Sequence, residues 1–335
     1  MIASRRFNLW VAVVAALVVP VALAAQAGPT INQLLKATFP TELVAHRGGG
    51  KVAWVLNAEG VRNIWMAEAP SYQGVQVTRY AEDDGQELSN LSFAPDGSAI
   101  VFVRGGGPNR QGEIPNPTSD PDGAEQAIWV VWLQIGGGGG SSALRKLADG
   151  SAPNISPKGD VVAFLRRGQV WSVPLADSAP SRQLFQIRGT AGSLRWSPDG
   201  SMLAFASGRG DHSFVGVYQL QSKELGYLDP SVDRDGSPVW SSDGRRVGFI
   251  RIPNDGDQLP FMAQRDAQSW SIRVAEVASG AGREVWKAAP GRGSAFQGVT
   301  AENQLVWGAN DRLVFPWERT GWVQLYSVSI RGGPA

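Results

Sequence analysis

The sequence predicts an all-β chain assembled from copies of one four-stranded antiparallel unit, and three observations predict it. The chain has 41 glycines, 21 prolines and 13 tryptophans, a mixture that favours short strands cut by turns over long helices. Apolar residues alternate at period two directly after a Pro-Asp-Gly turn, as in LRWSPDGSMLAFASGRGDHSFVGVY at residues 194–218. That arrangement then recurs along the chain. A small sheet with two apolar faces needs partners on both sides, and the copies supply them.

The recurrence has a fixed register. With Gly200 as position zero, Leu203 and Phe205 stand at plus three and plus five and Trp196 at minus four. The same places are filled around Gly97 (Phe93, Ile100, Phe102), Gly159 (Ile155, Val162, Phe164) and Gly244 (Trp240, Val247, Phe249). Weaker copies surround Gly49 (Val52, Trp54) and Asn310 (Val306, Leu313, Phe315). Six units result, with an uninterrupted length of about 41 to 48 residues. Repeats of roughly 40 to 50 residues with four short strands each are what a β-propeller blade requires. Alternation at period two places the plus-three and plus-five residues on one face, where neighbouring blades pack.

Third strands are expected at 63–69, 126–133, 169–175, 213–220, 269–277 and 322–330, and fourth strands at 76–80, 144–147, 182–187, 224–228 and 284–288. Residues 104–125 and 253–268 are insertions rich in Pro, Gly, Asn and Asp, which predicts surface loops. The glycine run 136–140 falls between a third and a fourth strand. Because the register resumes at Gly159, it is expected to be an enlarged hairpin loop and not a domain linker. The sixth unit has three strands and the chain then stops, where a hairpin into a fourth strand is due. The expectation is a propeller domain over 28–335, incomplete in its last blade and cut from a parent ring of seven or eight blades.

Residues 1–27 are of another kind. Arg5 and Arg6 precede an apolar run from Leu9 to Ala24, and small residues at 22–24 and 25–27 offer cleavage sites. This predicts a signal peptide and an exported, periplasmic or secreted protein with no stable membrane anchor after cleavage. Losing the two leader arginines leaves 29 basic against 30 acidic residues, so charge gives no reason to expect a nucleic-acid partner. With no cysteine in the chain, the fold is held by packing alone, and a thiol nucleophile or thiolate metal site is excluded.

Catalytic patterns are hard to assemble. No Gly-x-Ser-x-Gly elbow and no phosphate loop occur, and the two histidines, His46 and His212, follow no suitable Ser and Asp. No cofactor and no metal site are expected. Asp211-His212 lies between a second and a third strand, where it suits either a general-base pair or a locally bonded turn. Trp54, Trp196 and Trp240 are expected between blades. The connectors from a fourth strand to the next first strand carry Glu82, Asp83, Asp84 and Glu87, then Arg188, then Arg234, with Asp233, Asp235 and Arg292 nearby. In a propeller they emerge on one rim. Such a ring of charge suits the charged ends of a peptide, and it equally suits a solvated rim of turn formers.

With the register set, five phrases become specific: VAWVLNAEGVRNIWMAEAP (52–70), YAEDDGQELSNLSFAPDG (80–97), RGTAGSLRWSPDG (188–200), RGDHSFVGVY (209–218) and LVFPWERTGWVQLYSV (313–328). Over residues 32–333 the chain resembles the propeller of exported bacterial prolyl oligopeptidase-family serine peptidases, nearest to the dipeptidyl peptidase IV-like subgroup. The resemblance implies a lid that filters peptide substrates by size, followed in the parent chain by a C-terminal α/β-hydrolase domain with the catalytic Ser, Asp and His. It allows a homodimer formed through the parent protein. No catalytic residue is carried over, and this chain by itself is expected to be inactive. The paired glutamates with which dipeptidyl peptidase IV grips a substrate amino terminus have no adjacent Glu-Glu counterpart here, and the run from Glu82 to Glu87 is the available stand-in. The alternative function is a stand-alone periplasmic propeller of the Tol type, serving protein interaction.

Overall fold

Position zero is where each unit turns. Gly49, Gly97, Gly159, Gly200 and Gly244 all have φ between 69° and 80°, and Asn310 takes the same left-handed conformation at 57°. Asparagine is the side chain that tolerates this region best, which is why the sixth unit keeps the turn without glycine. The computed structural model describes residues 28, 30–133, 143–254, 267–301 and 303–335. The leader, the glycine run 136–140 and most of the second insertion lie outside the described residues.

The chain divides into two units, Met1–Ala37 and Thr38–Ala335. In the first, a short helix Ile31–Leu35 begins at a capping box in which Thr30 and Gln33 satisfy each other's backbone N–H groups. Among the described residues no helix is long and apolar enough to cross a membrane.

The second unit is a β-propeller of six sheets in sequence order. Blade one holds strands Phe39–Ala45, Lys51–Ala58, Val61–Glu68 and Val75–Gln76; blade two holds Leu88–Phe93, Ala99–Arg104, Ala127–Trp132 and Leu144–Asp149. Blade three runs Ser151–Ile155, Val161–Arg166, Gln169–Pro174 and Arg182–Phe185. Blade four runs Thr190–Trp196, Met202–Gly208, Ser213–Gln219 and Leu225–Leu228, and blade five Arg234–Trp240, Arg246–Ile252, Ser271–Glu276 and Gly282–Lys287. Blade six has Val306–Gly308, Arg312–Trp317 and Gln324–Ser329. Every blade is an antiparallel meander, and blades four and five are joined by one parallel bridge between Ser213 and Arg234.

Blade one departs from expectation in its fourth strand, which spans only Val75–Gln76. The next residues are held by a side chain in place of a ladder. Asn63 Oδ1 accepts from Thr78 Oγ1 (3.0 Å) and from the Tyr80 N–H (2.8 Å), while Asn63 Nδ2 donates to Tyr80 O (3.0 Å). Buried Asn63 thus completes the outer edge.

Blade-to-blade packing follows one rule. The large residues at plus three and plus five face the preceding blade, and the residue at plus four faces the following one. Phe102 meets Ala53, Phe164 meets Val101, Phe205 meets Ala163 and Phe249 meets Ala204 in four separate buried clusters. In the fifth, Leu313 and Phe315 of blade six pack on blade five. There Gly248 holds plus four, and a Cβ at that position would meet Leu313 Cδ2 at 3.2 Å. No residue larger than valine stands at plus four in the first five blades, so the next blade's aromatic ring has room to seat. Tryptophans at minus four add a directional link. Trp196 Nε1 donates to Asn154 O and Trp240 Nε1 to Arg195 O, each at 2.9 Å and each one blade back. Trp54, at plus five on blade one, was expected between blades but is only partly buried, and its ring lies beside Gly74 of its own blade.

The turns carry a second repeated device. Ser197 Oγ donates to Asp199 Oδ1 (2.6 Å), Ser201 donates to both oxygens, and the Met202 N–H donates to Ser197 Oγ (2.9 Å). These donors hold the Asp199 carboxyl down at about 2, with Ser197 the largest cause. Asp243 is lowered in the same way by Ser241 and the Arg245 N–H, and Asp96 by Ser98. A carboxyl lowered in the fold stabilises above its unfolded value and loses that contribution as pH falls through the folded value. The melting midpoint should therefore drop between pH about 4 and about 2, and Asp199→Asn should flatten part of that drop. A midpoint insensitive to pH across this window would contradict the assignment.

Candidate functional site

Antiparallel order fixes what shares a rim. In each blade the first-to-second and third-to-fourth turns lie at one end. The second-to-third loops and the connectors to the next blade lie at the other. The Pro-Asp-Gly turns therefore occupy one rim, while the charged connectors and the 105–126 insertion occupy the opposite one.

On that charged rim the acidic connector precedes blade two. Glu82, Asp83 and Glu87 are exposed and Asp84 is partly buried. Asp83 pairs with Arg62 at 3.5 Å and accepts from the Gly85 N–H at 3.1 Å. Asp84 accepts from the Gln86 N–H at 2.9 Å and is paired with Arg104, which also holds Glu125 at the far end of the insertion. Arg104 in turn lies over the Tyr80 ring at 5.2 Å. Burial pushes the Tyr80 phenol up to about 12. The insertion also covers the connector from above, since a Cβ on Gly85 would meet Pro117 at 2.6 Å. Two of the four acids are thus committed to arginines, and Glu82 and Glu87 are the members most available to a ligand.

Arg188 is exposed on the connector into blade four, whereas Arg234, expected on a connector, is exposed as the first residue of blade five's first strand, where it pairs with Ile252. Arg188 lends its carbonyl to Ser207 Oγ at 3.4 Å, and Arg234 Nε donates to Asp211 O at 2.9 Å. Asp211 and His212 form a pair at 2.7 Å, and the imidazole stands edge-on to Phe214. The His212 hydrogen bond is the first cause holding the exposed Asp211 carboxyl below its usual range. The loop is therefore bonded to itself and to Arg234. Among the described residues no ion pair joins the acidic connector to Arg188 or Arg234, so the two sets share a rim without touching.

The inner wall holds a feature that sequence reasoning missed. Every first strand of blades one to five contains a bulge, and at each the residue seven before position zero is left-handed: Glu42, Asn90, Ala152, Ser193 and Ser237, with φ of 49° to 56°. A bulge leaves its extra residue out of the ladder and bends the strand. At one of them the backbone has already found a partner, for the Asn90 N–H donates to Glu42 Oε2 at 2.8 Å. Between blades two, three and four the bulges wall a pocket of about 200 Å³ lined by Asn90, Ser92, Ala152, Asn154, Ser193 and Arg195 among others. Arg195 is steadied there by Leu194 O (2.7 Å) and by the Asn303 side chain from the approach to blade six. Among the described residues no group of three or more His, Asp and Glu is placed to hold a metal ion.

No family model matches the chain, and no curated protein matches it. Similarity appears at the level of solved structures. A prolyl endopeptidase aligns over 90% of this chain and 41% of its own length, at 14% identity and a TM-score of 0.57. Dipeptidyl peptidase 4 of Porphyromonas gingivalis aligns over 88% and 46%, at 12% identity and a TM-score of 0.54. TolB of Acinetobacter baumannii aligns over 84% and 62%, at 16% identity and a TM-score of 0.49. The chain spans less than two thirds of the length of each. What the two peptidases share with this chain is the β-propeller fold.

Proposed function

We propose that residues 28–335 form the substrate-gating propeller of an exported serine peptidase that cleaves short peptides, with catalysis supplied by an α/β-hydrolase domain of the longer protein. The leader, residues 1–27, would direct export and be removed. The observation that carries the reading is the rim: exposed Glu82 and Glu87 stand on the same end of the ring as exposed Arg188 and Arg234. Opposite charges spaced around one opening match the two charged ends of a short peptide and raise its local concentration. The likeness to a prolyl endopeptidase and to dipeptidyl peptidase 4, of whose own lengths this chain spans less than half, agrees with a gate that works beside a separate catalytic domain.

The test is binding, because this reading assigns catalysis to another domain. Glu87→Gln combined with Arg234→Gln should weaken binding of a zwitterionic tetrapeptide about tenfold by calorimetry, or about 1.4 kcal/mol. Both side chains are exposed, so the fold is left intact. An unchanged affinity would remove the rim from the mechanism.

A further inference from the structure

On the rim of the Pro-Asp-Gly turns, one blade junction departs from a pattern that the junctions before it keep. The proline two places before position zero sits over the zero residue of the next blade. A Cβ on Gly159 would meet Pro95 Cδ at 3.3 Å, one on Gly200 would meet Pro157 Cδ at 3.4 Å, and one on Gly244 would meet Pro198 Cδ at 3.7 Å. Three pyrrolidine rings therefore form a row along blades two to five. Between blades five and six the row stops. Residues 240–244 read WSSDG where 196–200 read WSPDG, so Ser242 stands where the next ring is due, and the zero residue it faces is Asn310.

The tryptophan link is broken at the same junction. Trp196, Trp240 and Trp307 are equivalent by register, paired with Leu203, Val247 and Leu313 on their second strands. The first two donate an indole N–H one blade back. The turn of blade six is one residue shorter, and Trp307 Nε1 donates instead to Asp311 Oδ1 of its own turn at 3.2 Å. Arg246 steadies the indole in that position, lying 5.5 Å from the ring centre and pairing with Asp311 at 3.6 Å. Between the two turns lies a groove of about 450 Å³, lined by Pro198, Trp240, Ser242, Trp307, Asn310 and Asp311 among others.

The lining selects an uncharged ligand with apolar rings and carbonyl acceptors. Two indoles and the Pro198 ring supply apolar walls. Asp311 is the only carboxylate in the lining, and Trp307 and Arg246 already match it. Ser242 and Asn310 are exposed, and among the described residues neither side chain has a hydrogen-bond partner. Both can donate. A polyproline II segment is the complement: its rings pack on aromatic walls, its carbonyls have no internal partners, and its backbone is already extended before it binds.

We propose that the groove between the turns of blades five and six binds a proline-bearing extended peptide segment. One ligand ring takes the next place in the row after Pro198, and ligand carbonyls accept from Ser242 Oγ and Asn310 Nδ2. The site lies on the rim opposite the charged connectors and does not rest on the gating role.

The test uses the whole chain and two capped, uncharged peptides, acetyl-Ala-Pro-Pro-Pro-Ala-amide and its all-alanine analogue. Tryptophan fluorescence reads binding, because two indoles wall the groove. The proline peptide should bind at least about tenfold more tightly than the alanine one. Ser242→Pro supplies the missing ring from within the chain and should weaken binding about tenfold or more, while Ser242→Ala leaves the seat open and should change it less than about threefold. An undiminished melting midpoint shows that the turn accepts the ring, as the equivalent turn accepts Pro198. If Ser242→Pro does not fold, Trp307→Leu decides: it keeps an apolar side chain against blade five but removes the aromatic wall, and should cost the proline peptide about fivefold or more. Equal binding of the two peptides, no binding of either, or full binding by the folded Ser242→Pro chain or by Trp307→Leu would overturn the proposal. The Glu87→Gln, Arg234→Gln variant should bind the capped proline peptide as the parent chain does, and loss of binding there would place the peptide on the charged rim instead.

Discussion

Asp235→Ala is expected to destabilise the propeller by about 3–5 kcal/mol, the largest effect of any single charge removal here. The Asp235 side chain is wholly buried, and it is bonded two-pronged by Arg251, with Nε at 2.7 Å and Nη2 at 2.8 Å. The two are direct cross-strand partners on the first and second strands of blade five. Arg251 also reaches Asp229 at 3.3 Å, and Arg273 pairs with Asp229 from the third strand. Three strands and the connector from blade four therefore meet in one charge network. Burial pushes the Asp235 carboxyl above its ordinary value, and the arginine beside it opposes that rise. Removing the carboxylate leaves a guanidinium, itself only 10% exposed, facing a low-dielectric wall without its best partner. The double variant Asp235→Ala, Arg251→Met should recover most of the loss, because the stranded charge goes too. Urea denaturation of the three variants checks both statements, and a single-variant loss below about 1 kcal/mol would show that the pair is solvated.

Phe205→Ala should cost about 3–5 kcal/mol through the cavity it leaves between blades three and four. The ring is fully buried. It lies 4.9 Å from the Phe185 ring and 6.3 Å from that of Tyr227. Gly216 on the neighbouring strand is shaped around it, since a Cβ there would meet the ring at 2.6 Å. That backbone is part of a seven-residue ladder and cannot collapse into the void. Trp54→Ala is the internal comparison, because Trp54 holds the same plus-five place on blade one but is only partly buried. Its loss should be clearly the smaller of the two despite the larger side chain. Equal losses would mean that register position, and not burial, sets the cost.

Much of the fold was legible because its signals are local. A turn that needs a left-handed residue selects Gly or Asn at position zero, and a sheet packed on one face writes its burial at period two. Both could be read at Gly97, Gly159, Gly200 and Gly244, and even at Asn310. The bulges were illegible for a physical reason. Glu42, Asn90, Ala152, Ser193 and Ser237 share no chemistry, because the ladder on the second strand imposes their conformation and their side chains do not. A pocket built mainly from backbone leaves no residue signature. On the rim, the positions of Glu82 to Glu87, Arg188 and Arg234 followed from topology, whereas the pairing of Asp84 with Arg104 needed the chain folded. Arg104 is 20 residues further on, and nothing in the linear order marks it as the partner. The short fourth strand of blade one was missed likewise, because Asn63 replaces ladder bonds from a strand away.

The plus-four and plus-five rule has an evolutionary corollary. Each blade offers a small residue forward and a large ring backward, so any blade fits behind any other, and the contact is heterologous and does not terminate itself. Gene duplication of one blade would generate a usable neighbour at once, with no compensating change on either side. The chemistry of the contact therefore places no limit on copy number, which falls to the angle between successive sheets. Lineages built on this rule are free to gain or lose a blade as a module, and the residues that must then change are those facing the axis, where the ring's diameter is felt.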